Sequence, residues 1–390
     1  MSAIPLSLII ILGALTAIGP VSTDIYLPAF PALAAHFNAS AAEVQRTLAA
    51  SFLGMTIGQA FYGPLSDRFG RRLPLAAGMA GFALASVACA LATGILQLTA
   101  FRFLQTLGGC AGVVVARAVV RDLAEGPAMI RLMARLMLVF ALAPILGPLL
   151  GGWMVSQFGW RAVFWVLTGY GLACVAAILF VLPESLPPSR RSRGGVRDAL
   201  RVYGRLLGSR RFMGEALGGI LPMAGLFAYL AGSPFVFMQL HGVSPQDYGY
   251  FFGANAAGLM LVSQVVSRLA QRVPATRLLT ISQVMAASLG LALLLVAGTG
   301  LGGFWGMVVV LWFYIASLGG IMPVATAQAM AGQSRAAGSA SAVLGVLQFG
   351  LGMLSGLAVS LLQDGTAMAM ALPLACGGLA GLVVRRVLVR

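Results

Sequence analysis

The sequence predicts an all-α membrane protein with about twelve transmembrane helices, arranged as two six-helix halves. Three observations carry this. Apolar runs of bilayer length follow one another along most of the 390 residues. Charge is scarce, with 59% of residues hydrophobic and 9% charged, where soluble domains carry roughly 25% charge. The arginines fall almost entirely on one side of the layout that the apolar runs dictate.

A hydrocarbon core ~30 Å thick takes about 20 apolar residues per helix, so this length holds about twelve spans with short connections. Backbone polar groups cannot be left bare in lipid, which restricts spans to helices or a closed barrel. The apolar runs are continuous rather than alternating, which selects helices. The 50 glycines suit helices that pack closely in a membrane.

A net charge of +15, carried by 25 arginines and no lysine, resembles a nucleic-acid signal. No soluble basic domain exists to do such binding, so nucleic acid is excluded as a partner and the charge is read as topological. Cys89, Cys110, Cys174 and Cys376 sit in apolar runs and are read as small buried hydrophobes. His36 and His241 lie in outer loops, and no metal-ligand spacing or cofactor motif is present. The first apolar run, Ile4 to Thr23, lacks a basic leading region and reads as a retained helix rather than a signal peptide.

The first six spans are read as Pro5–Pro31, Arg46–Pro64, Leu73–Ala92, Leu96–Arg121, Leu132–Phe158 and Trp160–Leu182. The second six are Phe212–Phe237, Tyr250–Arg268, Leu278–Ala297, Phe304–Ala325, Gly338–Leu362 and Ala367–Val384. Ala35–Gln45 and His241–Tyr248 are outer connections; Glu125–Arg131 and Gln333–Ala337 are inner turns. Pro183 to Arg211 holds three prolines and eight arginines and divides the chain. The expected units are therefore residues 1–182, a cytoplasmic linker 183–211, and residues 212–390. In the linker, Arg197, Arg201 and Arg205 fall on one helical face, and Val196, Leu200, Tyr203 and Leu207 on another. That pattern fits an amphipathic helix on the anionic inner leaflet or a plain solvated linker.

Twenty-one of the 25 arginines, Arg335 and Arg390 among them, fall on the inner side of this layout; Arg46 and Arg161 fall outside, and Arg102 and Arg117 within spans. The asymmetry places both termini in the cytoplasm. A shift of 200 residues brings Arg68 onto Arg268 and Arg72 onto Arg272, where a six-plus-six duplication would put them.

Charge within a span costs about 2.5–3.5 kcal/mol on insertion scales, so such residues are functional candidates by default. Asp24 lies in the outer half of the first span, where Pro28 and Pro31 make the helix irregular. It is read as a proton and substrate site, or as an interface cap. Arg102 lies about two turns in from the outer end of the fourth span, at the depth of Asp24. Arginine stays charged, so Asp24 is expected to ionise when paired with it and to take a proton when separated. At the inner surface, Asp67 and Asp122 flank Arg71 and form a triad, a structural pin that doubles as a gate. Ala143 to Gly152 places Pro144, Gly147, Pro148, Gly151 and Gly152 in one helix, which predicts bending and close contact with a helix of the other half.

These stretches also resemble known motifs. Gly63–Arg72, containing Gly63, Asp67 and Arg71, resembles the cytoplasmic signature of the major facilitator superfamily. Arg102-Phe103-Leu104-Gln105 resembles its fourth-helix motif in proton-coupled drug exporters. Gly147-Pro148-Leu149-Leu150-Gly151-Gly152 resembles its antiporter motif. Asp24-Ile25-Tyr26-Leu27-Pro28 resembles the first-helix motif of twelve-helix drug:proton antiporters. Together they resemble the bicyclomycin/chloramphenicol-type exporters. Two departures stand out: Thr106 where that fourth-helix motif often has glycine, and Thr16 where some drug exporters carry a second acid. A single acid in the cavity argues for neutral or singly charged substrates.

The resemblance implies two six-helix bundles, related by a pseudo-two-fold axis, that rock around a central cavity. It implies that Asp24 binds the proton with Arg102 coupled to it, and that Asp67, Arg71 and Asp122 hold the inner side closed in the outward-facing state. Further cavity candidates are polar or aromatic residues at mid-span: Tyr26, Gln105, Tyr229, Asn255 and Gln348. The expected protein is a monomeric, multi-pass transporter of the bacterial inner membrane, not an enzyme. It exchanges protons for small amphipathic drugs such as phenicol- or bicyclomycin-like antibiotics, with lipid around it and no cofactor. The rivals are a metabolite or sugar efflux carrier of the same fold and an uncoupled facilitator.

Overall fold

Apolar runs this long form helices because a helix satisfies its own backbone hydrogen bonds. A computed structural model describes residues 5–123, 126–191, 196–331 and 337–389, and every long apolar run there is helical. In chain order the helices are α1 (Leu6–Asp24), α2 (Phe30–Phe37), α3 (Ala41–Phe69), α4 (Arg72–Ala90), α5 (Ile95–Leu123), α6 (Gly126–Phe158) and α7 (Arg161–Phe180). There follow α8 (Val196–Leu207), α9 (Arg210–Pro234), α10 (Pro245–Leu269), α11 (Ala275–Thr299), α12 (Gly303–Met330), α13 (Ala337–Leu361) and α14 (Met368–Leu388). Ten helical stretches among the described residues are long and apolar enough to cross a bilayer. The expected twelve adds α3, which is long but carries Thr47, Ser51, Thr56 and Gln59, and α6, whose Leu142–Phe158 part is a shorter apolar helix.

The ends differ from expectation for identifiable reasons. The irregularity expected near Pro28 is a 3₁₀ turn at Leu27–Ala29 between α1 and α2. A capping box of Ser40 and Glu43 starts α3 five residues before the expected Arg46. At its other end α3 runs through Gly63 and Pro64 to Phe69, so the inner hairpin is only Gly70 and Arg71. Gly70 has φ 91°, a left-handed value that favours glycine. The turn expected over Glu125–Arg131 is shorter, because α6 begins at Gly126. Glu125, Arg193, Arg335, Arg390 and the expected turn at Gln333–Ala337, apart from Ala337, lie outside the described residues. Cys376 is exposed, unlike the three other cysteines, because it sits on the outer face of α14 rather than in the packed interior.

Two packing sets emerge. α5 packs on α3, α4 and α1; α4 packs on α7; and α1 packs on α6. In the second half, α9 packs on α14, α13 and α12, while α10 and α11 pack on α12. The sets meet along α3 against α13 and α6 against α10. At the outer end of the first seam, Arg46 Nε donates to Ser360 Oγ (3.3 Å), which donates to the Ala42 carbonyl (2.9 Å). The linker helix α8 does not lie free: Leu206 is buried with Phe212, Ala216, Ile220 and Val343, and Val202 and Tyr203 pack beside it. Its apolar side therefore covers the inner ends of α9 and α13, an alternative to both readings of the linker.

Small residues set the closeness of the helices. A Cβ on Gly112 would meet the Leu15 carbonyl of α1 at 2.5 Å, and one on Gly58 would meet Cys110 of α5 at 2.5 Å. A Cβ on Gly151 would collide with the Ile25 carbonyl, whereas one on Gly81 meets nothing within 4 Å. Overpacking of this kind costs typically about 1–3 kcal/mol. Gly151→Ala is expected to lower thermal stability in detergent by that order, and Gly81→Ala to leave it level or slightly raised. Equal melting temperatures for both variants would refute the close-approach argument.

Candidate functional site

Arg102 projects from α5 and is fully buried. Its Nη1 donates to the Ser22 carbonyl of α1 (3.2 Å) and to Gln105 Oε1 (2.5 Å). Gln105 donates in turn to Ser86 Oγ of α4 (2.7 Å). The guanidinium lies over the Tyr26 ring, 4.4 Å from its centroid, with the Phe164 ring at 6.0 Å. Such contacts contribute about 2 kcal/mol or more when desolvated. Tyr26 is itself held by Thr47 of α3, with 2.7 Å between the hydroxyls. Tyr26 and Gln105, expected to line the cavity, thus brace Arg102 inside the first helix set. Nε and Nη2 of Arg102 have no hydrogen-bond partner among the described residues.

Asp24 ends α1 and is buried, with 4% of its surface exposed. Among the described residues its carboxyl forms no ion pair, and the pair expected with Arg102 is not made in this conformation. The reason is helical geometry. Ser22 and Asp24 are two residues apart, about 200° around a helix. Ser22 therefore faces α5 while Asp24 faces α6. Gly147 permits that approach: its Cβ would lie 3.1 Å from Asp24 Cβ. Gly151 sits on Ile25 one turn on. Gly152 instead meets Pro245 and Gln246 of α10, and Gly249 of α10 meets Pro148 and Leu149. The close contact expected of the Pro144–Gly152 stretch is thus shared: two glycines serve α1 of the same set, and one serves the other half. Both Pro144 and Pro148 lie within the continuous helix α6.

A polar patch lies on α9 and α10 of the second set, both of which touch the turn that follows α1. Asn255 Nδ2 donates to the Tyr229 hydroxyl (3.0 Å). The hydroxyls of Ser233 and Tyr248 are 2.9 Å apart. Tyr229 stacks on Phe252 at 5.4 Å between ring centroids. Both phenols are fully buried. Tyr229 and Asn255, expected to line the cavity, come together as a buried hydrogen-bonded pair. Tyr248 and Ser233 escaped the sequence reading, because Tyr248 was placed in an outer loop; Ser244 capping Asp247 starts α10 earlier than expected. Gln348 stands apart on α13, partly exposed.

The inner triad does assemble. Arg71 Nε donates to Asp122 Oδ2 (2.7 Å), and Nη1 donates to Asp67 Oδ1 (2.5 Å) and Ser66 Oγ (2.9 Å). Burial opposes the Arg71 charge, but Asp122 and Asp67 outweigh it and raise its pKa. The cluster ties α3 to α5 within one set. It also reaches the start of the linker, which the sequence reading missed. Glu184 accepts from the backbone N–H groups of Arg71 (2.9 Å) and Arg72 (3.2 Å), and Ser185 donates to Asp122 (3.0 Å). Burial works against the Glu184 charge, but the N–H groups of Arg71, Leu186 and Arg72, and the nearby Arg191, hold its carboxyl below the usual range. Gly70 leaves room for this, since a Cβ there would meet Glu184 Oε2 at 2.5 Å. Gly63 has nothing within 4 Å of its Cβ position, so packing does not demand glycine there.

The second set carries its own inner ion pair. Arg385 Nε of α14 donates to Glu215 Oε2 of α9 (2.9 Å), and Nη1 donates to Thr280 of α11 (3.1 Å). Glu215, an acid four residues into an expected span, was the available signal for it.

A family model described as Major Facilitator Superfamily matches residues 12–360. The chain is 38% identical over 349 residues to the uncharacterized MFS-type transporter YdgK of Bacillus subtilis, covering 89% of this chain and 87% of that one. It is 31% identical over 363 residues to a bicyclomycin resistance protein homolog of Haemophilus influenzae (92% and 90% covered). It is 30% identical over 336 residues to the multidrug resistance protein MdtL of Escherichia coli (86% and 83% covered). Among solved structures, a D-xylose-proton symporter superposes with a TM-score of 0.76 at 17% identity, covering 97% of this chain and 96% of that one. A bacterial Spinster homologue gives 0.68 at 18% identity, covering 100% and 96%. With the family model spanning most of the chain and relatives this similar along nearly their whole length, the chain belongs to the Major Facilitator Superfamily, and it is a membrane transporter rather than an enzyme.

Proposed function

We propose that this transporter is a proton-coupled exporter of small amphipathic compounds, with Asp24 as its proton site. The observation that carries the reading is a buried carboxyl without a counter-ion, at the seam between two helix sets, beside a buried arginine held by neutral groups. Burying an unpaired charge is expensive, so this conformation suits the protonated form of Asp24. A conformation that turns Asp24 toward Arg102 suits the ionised form. The 3₁₀ break after α1 and the glycine contacts with α6 give that end of α1 a place to move. A proton then favours one state and substrate the other, which couples their movements in opposite directions.

The moving bodies are α1–α7 and α9–α14, twelve spans in all, joined by the 183–211 linker. They rock at the α3/α13 and α6/α10 seams in the inner membrane, with both termini cytoplasmic and the monomer as the working unit. The pinned ends of α3 and α5 make the inner end of the first body rigid. Relatives named for bicyclomycin and multidrug resistance favour drugs over sugars as cargo. Tyr229, Asn255 and Tyr248 supply polar contacts in an otherwise apolar site.

Asp24→Asn is expected to reduce proton-driven uptake of chloramphenicol into energised inverted vesicles by about a hundredfold, with protein level unchanged. Uptake at the wild-type rate that still collapses with the proton gradient would remove Asp24 from the mechanism. Sugar-driven proton movement without any response to drugs would instead select the sugar-carrier rival.

Glu184 yields a second test. Its depressed pKa means that it stabilises the hairpin above its unfolded value of 4.5 and loses this as pH falls through the folded value. Between pH of about 6 and 3, protease protection of the hairpin is expected to fall more steeply in the wild type than in Glu184→Gln. Parallel profiles would mean that the anchor contributes nothing.

A further inference from the structure

Arg117 is a second charge within α5, and the Asp24–Arg102 scheme does not use it. Its Nε is buried without an acceptor. Among the described residues no ion pair or hydrogen bond engages its guanidinium, and its side chain is only partly buried. The terminal nitrogens have no protein partner among the described residues.

The contacts of α5 show which way the guanidinium points. Gly112 packs on Leu15 of α1, and Cys110 packs on Gly58 of α3. Successive residues turn by about 100°, which directs Arg117 between α1 and α3, on the α3 side. There α3 meets α13, with Gln59 against Gly345. One turn further inward, Arg121 reaches Gly338 of α13, 3.4 Å from its Cβ position. Arg117 thus faces the inner half of the seam between the two sets. One turn outward, Val113 and Met55 converge on Gly19 and are buried there, which makes the protein apolar just beyond the guanidinium. Four acids of the inner half are engaged elsewhere: Asp67 and Asp122 by Arg71, Glu184 by backbone N–H groups, and Glu215 by Arg385.

We infer that Arg117 is an anion-recognition site in the inner half of the transport path, taking the carboxylate of an amphipathic compound. The guanidinium fork matches a carboxylate in two parallel hydrogen bonds. This rests on the transport reading and adds a charge class to it. Lipid phosphate is the other source of the same chemistry, but Arg117 faces the seam rather than the hydrocarbon.

The test uses the full chain in phosphatidylcholine vesicles and three matched probes: 2-naphthoate, 2-naphthamide and 2-naphthylmethylammonium. Wild type is expected to bind naphthoate about tenfold more tightly than either other probe. Arg117→Gln is expected to erase that preference and leave naphthamide affinity within about twofold, while Arg117→Lys keeps part of it. If Arg117→Gln does not fold, the wild-type ranking and Arg117→Lys still decide. Equal wild-type affinities, equal losses for naphthoate and naphthamide, or a preference seen only when phosphatidylglycerol is present would overturn the site. Proton-driven movement of neutral naphthamide, and its loss in Asp24→Asn, is read in the same vesicles; its failure would sink the coupling proposal without touching the binding result.

Discussion

The guanidinium of Arg102 must keep its charge where water is scarce, and the first helix set is arranged around that requirement. The Ser22 carbonyl, Gln105 and the Tyr26 ring come from α1, the turn after it, and α5 itself. Ser86 of α4 and Thr47 of α3 then hold Gln105 and Tyr26. Four helices are tied to one cation without a carboxylate. None of these contacts cancels the charge, so the arginine remains an electrostatic attractor.

On the proposed reading Asp24 is the acid that Arg102 attracts, and small residues bring α6 close to that end of α1. Where Gly147 and Gly151 touch Asp24 and Ile25, the backbones approach more nearly than any larger side chain allows. Gly152 performs the same service toward α10. One stretch of α6 therefore touches the proposed proton site and the opposing set at once. A shift at either contact is felt at the other, which is the physical content of coupling on this reading.

The inner surface is built differently, from ion pairs rather than close backbones. Arg71 joins α3 to α5, and Glu184 and Ser185 join that cluster to the start of the linker. Arg385 and Glu215 join α14 to α9. Each cluster lies within one set, so each makes its own set rigid. Buried pairs of this kind contribute little net stability but are costly to break singly, which suits joints that hold shape while the sets move against each other.

Much of this was legible in the chain. Hydrophobic run length and charge placement depend on local composition, so the helices and the residues of the inner triad could be read directly. The isolated charges Asp24 and Arg102 were legible for the same reason, since a charge in an apolar run has no local explanation. What the chain could not say is which way each charge points. The 200° between Ser22 and Asp24, the bracing role of Tyr26 and Gln105, the approach of Tyr248, and the joining of Glu184 to Arg71 and Glu215 to Arg385 depend on partners from distant helices. Composition determines that a segment enters the membrane; only packing determines the side from which a buried charge is met.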